Sequence, residues 1–116
     1  MSFSLINMDS KKRYKIVVYV PESDADKLRE AIGNAGAGKI GNYSHCTFSV
    51  KGTGRFKPLE GANPTIGEVG KSEEVTEERI ETVCEADKLQ AVLKAIKDAH
   101  PYEEPATDVY PIEIFE

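Results

Sequence analysis

The stretch Tyr14-Lys15-Ile16-Val17-Val18-Tyr19-Val20-Pro21, followed by Ser23-Asp24-Ala25-Asp26-Lys27-Leu28, decides the fold. Its first part is β-branched and aromatic, bounded by Lys11-Lys12-Arg13 and by Pro21, and reads as a buried strand. Ser23 is placed to cap a helix, with Asp24 and Asp26 in the first turn near its positive end. Ala25, Leu28, Ala31, Ile32 and Ala35 then recur at helical spacing as one apolar stripe, which Gly33, Gly36 and Gly38 bring to a close.

The same unit returns downstream. Asp87-Lys88-Leu89 repeats Asp26-Lys27-Leu28, and Val92, Leu93 and Ile96 stand at the offset of Ala31, Ile32 and Ala35. The second helix is expected over about Asp87 to Ala99, stopped by Pro101, after a third strand from Glu78 to Glu85. A second strand, Tyr43 to Val50, follows the Gly41-Asn42 turn, with Ser44, Cys46, Phe48 and Val50 assigned to its core face. The fourth runs from Ala106 to Ile114, and Pro111 within it predicts an edge position. The order is βαβ, a long irregular segment, then βαβ. That is the α+β, ferredoxin-like split βαβ pattern, with strand order 4-1-3-2 in an antiparallel four-stranded sheet and both helices on one face. The uncovered face and the sheet edges predict a homo-oligomer.

At 116 residues the chain fits one core; residues 13–116 are expected to form a single domain, and residues 1–12 a loosely packed arm. A formal net charge of −5 argues against a general nucleic-acid partner. No apolar run is long enough to span a membrane, and Met1 to Asn7 does not read as a signal peptide. Cys46 and Cys84 show no paired spacing, which favours a reducing, cytoplasmic setting.

Two segments are candidates for function. The first runs from Gly52 to about Thr76; it is rich in Gly and Pro, longer than most connections inside a compact domain, and carries Arg55, Lys57 and Lys71. It is open to two readings, packing against a neighbouring subunit or contact with a ligand. The second is His100-Pro101-Tyr102-Glu103-Glu104-Pro105, where an imidazole and two carboxylates stand together. His45, His100, Glu103 and Glu104 are therefore the candidate ligands of a divalent metal. His45 and His100 are expected on opposite edges, roughly 14 Å apart, so that they would meet only across a subunit interface. The acidic run Glu73, Glu74, Glu77, Glu78 and Glu81 is expected to be a solvated surface. No nucleophile–base constellation, zinc spacing or phosphate-loop pattern is present, so the chain is not expected to be an enzyme.

The segments Gly41-Asn42-Tyr43-Ser44-His45-Cys46-Thr47-Phe48-Ser49, Gly52-Thr53-Gly54, Pro58-Leu59-Glu60-Gly61-Ala62-Asn63-Pro64 and Ile66-Gly67-Glu68-Val69-Gly70, with the turn at 100–106, form a longer signature. It resembles the domain inserted into YqfO proteins of the Nif-three-like family, over roughly Tyr14 to Ile112. The resemblance implies a PII/CutA-like variant of the fold, commonly trimeric. The two flanking halves that carry that family's metal chemistry have no counterpart in these residues, so that chemistry is not carried over. PII-like proteins bind small effectors between subunits and CutA-like proteins are linked to divalent-metal tolerance, which implies a binding or sensor module. Tyr43, Arg55, Phe56, Lys57, Glu60 and Asn63 are the candidate ligand contacts. A scaffold that assembles without a ligand and a small metal-dependent enzyme are the alternatives.

Overall fold

The computed structural model describes residues 12–113 and 115; the arm expected over residues 1–12 lies outside them except for Lys12, as does Ile114 of the expected last strand. Four strands, β1 (Arg13–Pro21), β2 (Phe48–Phe56), β3 (Glu73–Glu85) and β4 (Thr107–Ile112), alternate with helices α1 (Ala25–Asn34) and α2 (Leu89–Ala99) in the order β1-α1-β2-β3-α2-β4. The sheet is antiparallel in the order β2-β3-β1-β4, which is the predicted ferredoxin-like arrangement.

The core lies between the sheet and the helices. Ile16, Val18 and Val20 of β1 and Ile80 of β3 meet Ala25, Leu28 and Ile32 of α1 and Val92 and Ile96 of α2, all essentially inaccessible. Burying each large aliphatic side chain here contributes about 1.5–3 kcal/mol. Helix α1 ends as its glycines require: Gly36, at φ +115°, lets Ala37 N–H reach Ile32 C=O and Gly36 N–H reach Gly33 C=O, the two bonds of a Schellman cap. Pro111 sits in the edge strand β4 opposite Tyr14, where its missing N–H costs no ladder bond.

Three expectations need correction. Ser23 does not cap α1; a single 3-10 turn, Glu22–Asp24, precedes the helix, and the Ser23 hydroxyl donates to Asp24 Oδ2 instead. Strand β2 starts five residues later than expected and runs on to Phe56, through residues read as irregular, while β3 starts at Glu73 rather than Glu78. Residues 41–47 form no strand, so the alternation assigned to Ser44 and Cys46 does not apply there. The face of β2 is also inverted. Ser49 stands opposite the buried Ile80, so Ser49 faces the helices and Phe48 and Val50 point to the open side of the sheet. Phe48 is 65% exposed and Val50 47% exposed.

The acidic run of β3 is partnered rather than merely solvated. Glu78, which is buried, takes Arg29 Nη1 at 2.5 Å, and the same nitrogen donates to Ser49 Oγ at 3.1 Å. Glu81 pairs with Lys15 and Arg79, at 3.3 and 3.1 Å, and Glu74 with Arg55 at 3.1 Å.

Candidate functional site

The two segments singled out in the sequence meet. The connection after β2, residues 57–72, folds back across the end of the sheet to the turn after α2. Asn63 N–H donates to Glu103 Oε2 at 3.0 Å, and Thr65 Oγ1 donates to Pro101 C=O at 2.7 Å. Between them lies a cavity of about 300 Å³, at the small end of the range typical of ligand sites. Its apolar walls come from Phe56, Pro58, Ala62, Pro64, Ile66, Tyr102 and Ala106, with Tyr19 of β1 beside them. Its charged groups are the Glu77, Glu103 and Glu104 carboxylates and Arg55.

Tyr102 is the hinge of the site. Its ring meets Phe56 edge-on at 5.7 Å and tilts against the His100 ring at 5.1 Å. Its hydroxyl donates to Glu77 Oε2 at 3.2 Å. Burial, then the neighbouring Glu77 carboxylate, pushes the Tyr102 phenol up to about 12, so it remains a donor at neutral pH. Glu77 stands opposite Gly52 on β2 and reaches this position by crossing Gly54, two residues further on, which has no side chain: a Cβ there would overlap the Glu77 carboxylate. A glycine inside a strand often marks such a close approach.

His100 holds the turn from behind. It is 6% exposed, and both ring nitrogens face main chain: Nε2 lies 2.6 Å from Tyr19 C=O, and Nδ1 lies 3.1 Å from Tyr102 N–H. These partners assign the neutral tautomer with the proton on Nε2, donating to the carbonyl, while Nδ1 accepts. A metal bond would require His100 to give up one of these contacts. His45 lies elsewhere, in a left-handed conformation (φ +60°) against Gly33, with Nε2 donating to Asn34 Oδ1 and Nδ1 accepting from Ser44 Oγ. Glu103 and Glu104 reach the cavity with neither histidine among its lining residues. Among the described residues, no three His, Cys, Asp or Glu side chains are grouped so as to hold a metal ion.

Of the candidate ligand contacts, Arg55 and Phe56 line the cavity, and Asn63 fixes its wall through its backbone. Lys57 and Glu60 are exposed beside it without lining it. Tyr43 is 74% exposed in a separate tight turn closed with Ile40. Tyr19, Glu77, Tyr102 and Thr65 were missed by the sequence reading. Tyr102 stood inside the quoted turn and Gly54 inside the quoted loop, so both carried a local signal. Glu77 stood in the acidic run read as solvated surface, and Tyr19 in a strand read as core.

No family model matches the chain. Among curated proteins, the GTP cyclohydrolase 1 type 2 homolog of Bacillus subtilis is 56% identical over 99 residues, which cover 85% of this chain and 26% of that protein. The protein of the same name from Mycobacterium tuberculosis is 51% identical over 96 residues, 83% of this chain and 25% of that one. The chain thus spans about a quarter of the length of these relatives. Among solved structures, a Bacillus cereus protein related to NIF3 superposes with a TM-score of 0.78 at 50% identity, over 90% of this chain and 27% of that one. The periplasmic divalent cation tolerance protein CutA of Archaeoglobus fulgidus superposes at 0.64 with 20% identity, over 88% of this chain and 85% of that one, a likeness of fold.

Proposed function

From the premise that this chain is homologous to one segment of the Nif-three-like proteins and has a CutA-like fold, we propose that it is a homo-oligomeric binding module that takes a small ligand in the cavity between the 57–72 loop and the 100–106 turn. The observation that carries the reading is that cavity: two segments distant in sequence are tied by two hydrogen bonds around about 300 Å³ of mostly apolar space containing fixed carboxylates. The hydroxyl–carboxylate pair in its lining, Tyr102 with Glu77, has its phenol pushed up to about 12 and so holds its proton, which supports a reading of binding rather than turnover. The relatives' name refers to proteins about four times as long as the matched segment.

Self-association is supported by the open face of the sheet. Phe48, Val50 and Tyr110 are exposed there, on the side without helices, and contact with further copies of the chain would remove this apolar surface from water. The family resemblance favours three copies.

The test is a thermal-shift panel of organic cations, organic anions and divalent metal salts on the full chain and on Gly54→Leu, whose side chain would displace Glu77 and fill the cavity. A ligand at a hundred times its Kd adds about 2.7 kcal/mol to stability, on the order of 10 °C for a domain of this size. The reading expects such a shift for the wild type and its loss in Gly54→Leu. Silence across all three classes would overturn it, and a shift from metal salts alone would favour the metal-binding form of the proposal, with Glu103 and Glu104 as ligands.

A further inference from the structure

A second cavity, of about 320 Å³, lies towards the opposite end of the β1–β3 ladder and shares no residue with the first. It opens beside the last residues of β3, which extend past the end of β2 and are flanked by the 36–46 segment: Gly38 N–H donates to Val83 C=O at 2.7 Å, and Cys46 N–H to Gly38 C=O at 2.9 Å. Its charged lining is Arg13, Lys39 and Lys88, with Glu85 as the one carboxylate. This is a local positive excess on a chain of net charge −5.

The cations elsewhere in the fold are largely spent on neighbours: Lys15, Arg29, Lys51, Arg55, Lys71, Arg79 and Lys94 all stand in ion pairs. Among the described residues, Arg13, Lys39 and Lys88 stand in none of them; nor do Lys12, Lys27, Lys57 and Lys97, which line neither cavity. Arg13 Nε is buried with no hydrogen-bond partner, although an unmet buried donor of a charged group is costly. Lys88 is held beside the cavity by the backbone opposite: its stem lies over Gly36, where a Cβ would come within 3.1 Å of Lys88 Cγ and Cδ. Lys39 is anchored by a bond from Nζ to Gly41 C=O at 3.0 Å.

We propose that this cavity is a binding site for a small oxyanion, a phosphate group or free phosphate, held by Arg13, Lys39 and Lys88. An oxyanion carries several acceptors for the guanidinium and the two ammonium groups that line the cavity, and ion-assisted hydrogen bonds are the strong ones. Because both lysines are exposed, binding weakens as salt rises. The site does not depend on the ligand proposed for the first cavity.

The test is titration of the full chain with inorganic phosphate at fixed ionic strength, followed through backbone amide NMR shifts, with chloride as the reference anion. The expected result is saturable shifts at Gly36, Ala37 and Lys39, with binding weakened roughly tenfold by Arg13→Gln or Lys88→Gln and unchanged by Lys94→Gln, whose partner is Asp98 on α2. If Arg13→Gln fails to fold, Lys88→Gln decides, since Lys88 is exposed. Phosphate shifts no larger than those of chloride, or a Lys94→Gln effect equal to that of Lys88→Gln, would overturn the proposal.

Discussion

Replacing His100 by alanine removes a ring that is 6% exposed and bonded on both sides to main chain. Two groups lose a partner, the Tyr19 carbonyl on β1 and the Tyr102 amide in the turn. A buried polar group left unmet costs about 1–3 kcal/mol. The packing of the ring against Tyr102 at 5.1 Å is lost as well. The turn has some freedom to relax towards water, so the loss is expected near the middle of the sum, about 3 kcal/mol. With a urea m-value of roughly 1–2 kcal/mol/M for a domain of this size, that is a fall of about 1.5–3 M in the unfolding midpoint. The assay is urea unfolding followed by circular dichroism at one protein concentration, because self-association would make the midpoint depend on concentration. His45→Ala is the paired control. Its hydrogen bonds are exposed, and the expected loss is under about 1 kcal/mol. A cost below about 0.5 kcal/mol for His100→Ala, or a larger one for His45→Ala, would refute the assignment of His100 as the pin of the turn.

Other outcomes follow from the same geometry. The Tyr102 phenol is raised to about 12 from an ordinary value of 10; the folded state therefore holds this proton more tightly than the unfolded chain does, and its contribution to stability is complete below pH 10 and is lost as pH rises towards 12. The difference in stability between wild type and Tyr102→Phe, measured by urea unfolding, should shrink across that window. Arg29→Ala strands Glu78, whose side chain is 11% exposed, and should cost roughly 1–3 kcal/mol by chemical unfolding, between the values for surface and fully buried pairs. Phe48→Glu places a charge on the open sheet face beside Glu81, which stands opposite it on β3; sedimentation velocity should then show a smaller species than the wild type with the same circular dichroism spectrum.

The strand order and both helix stripes were legible because they rest on local periodicity: Leu28 and Ile32, then Val92 and Ile96, are buried where the spacing put them. The bounds of β2 and β3 were not. Glycine and glutamate are poor strand formers, so Gly52-Thr53-Gly54 and Glu73-Glu74 read as loop until their pairing across the ladder, Gly54 with Val75 and Phe56 with Glu73, is seen. The inversion of Phe48 and Val50 has a different origin: apolar character assigned them to the core face, whereas the pairing sets Ser49 opposite the buried Ile80 and leaves both on the open side. The long loop and the 100–106 turn were each identified as special, but their meeting was not foreseen. Asn63 and Glu103 stand 40 residues apart and Tyr102 and Glu77 25 apart, and no local pattern encodes a contact of that kind. The second cavity was equally hidden, because its three cations come from β1, the 36–46 segment and the turn before α2.

Native mass spectrometry of the full chain, purified without added metal, tests the central claim most directly. The account predicts a homo-oligomer, three copies being favoured, that carries a small bound mass in the wild type and loses that mass in Gly54→Leu while keeping its assembly. A monomer that carries no small molecule would contradict it.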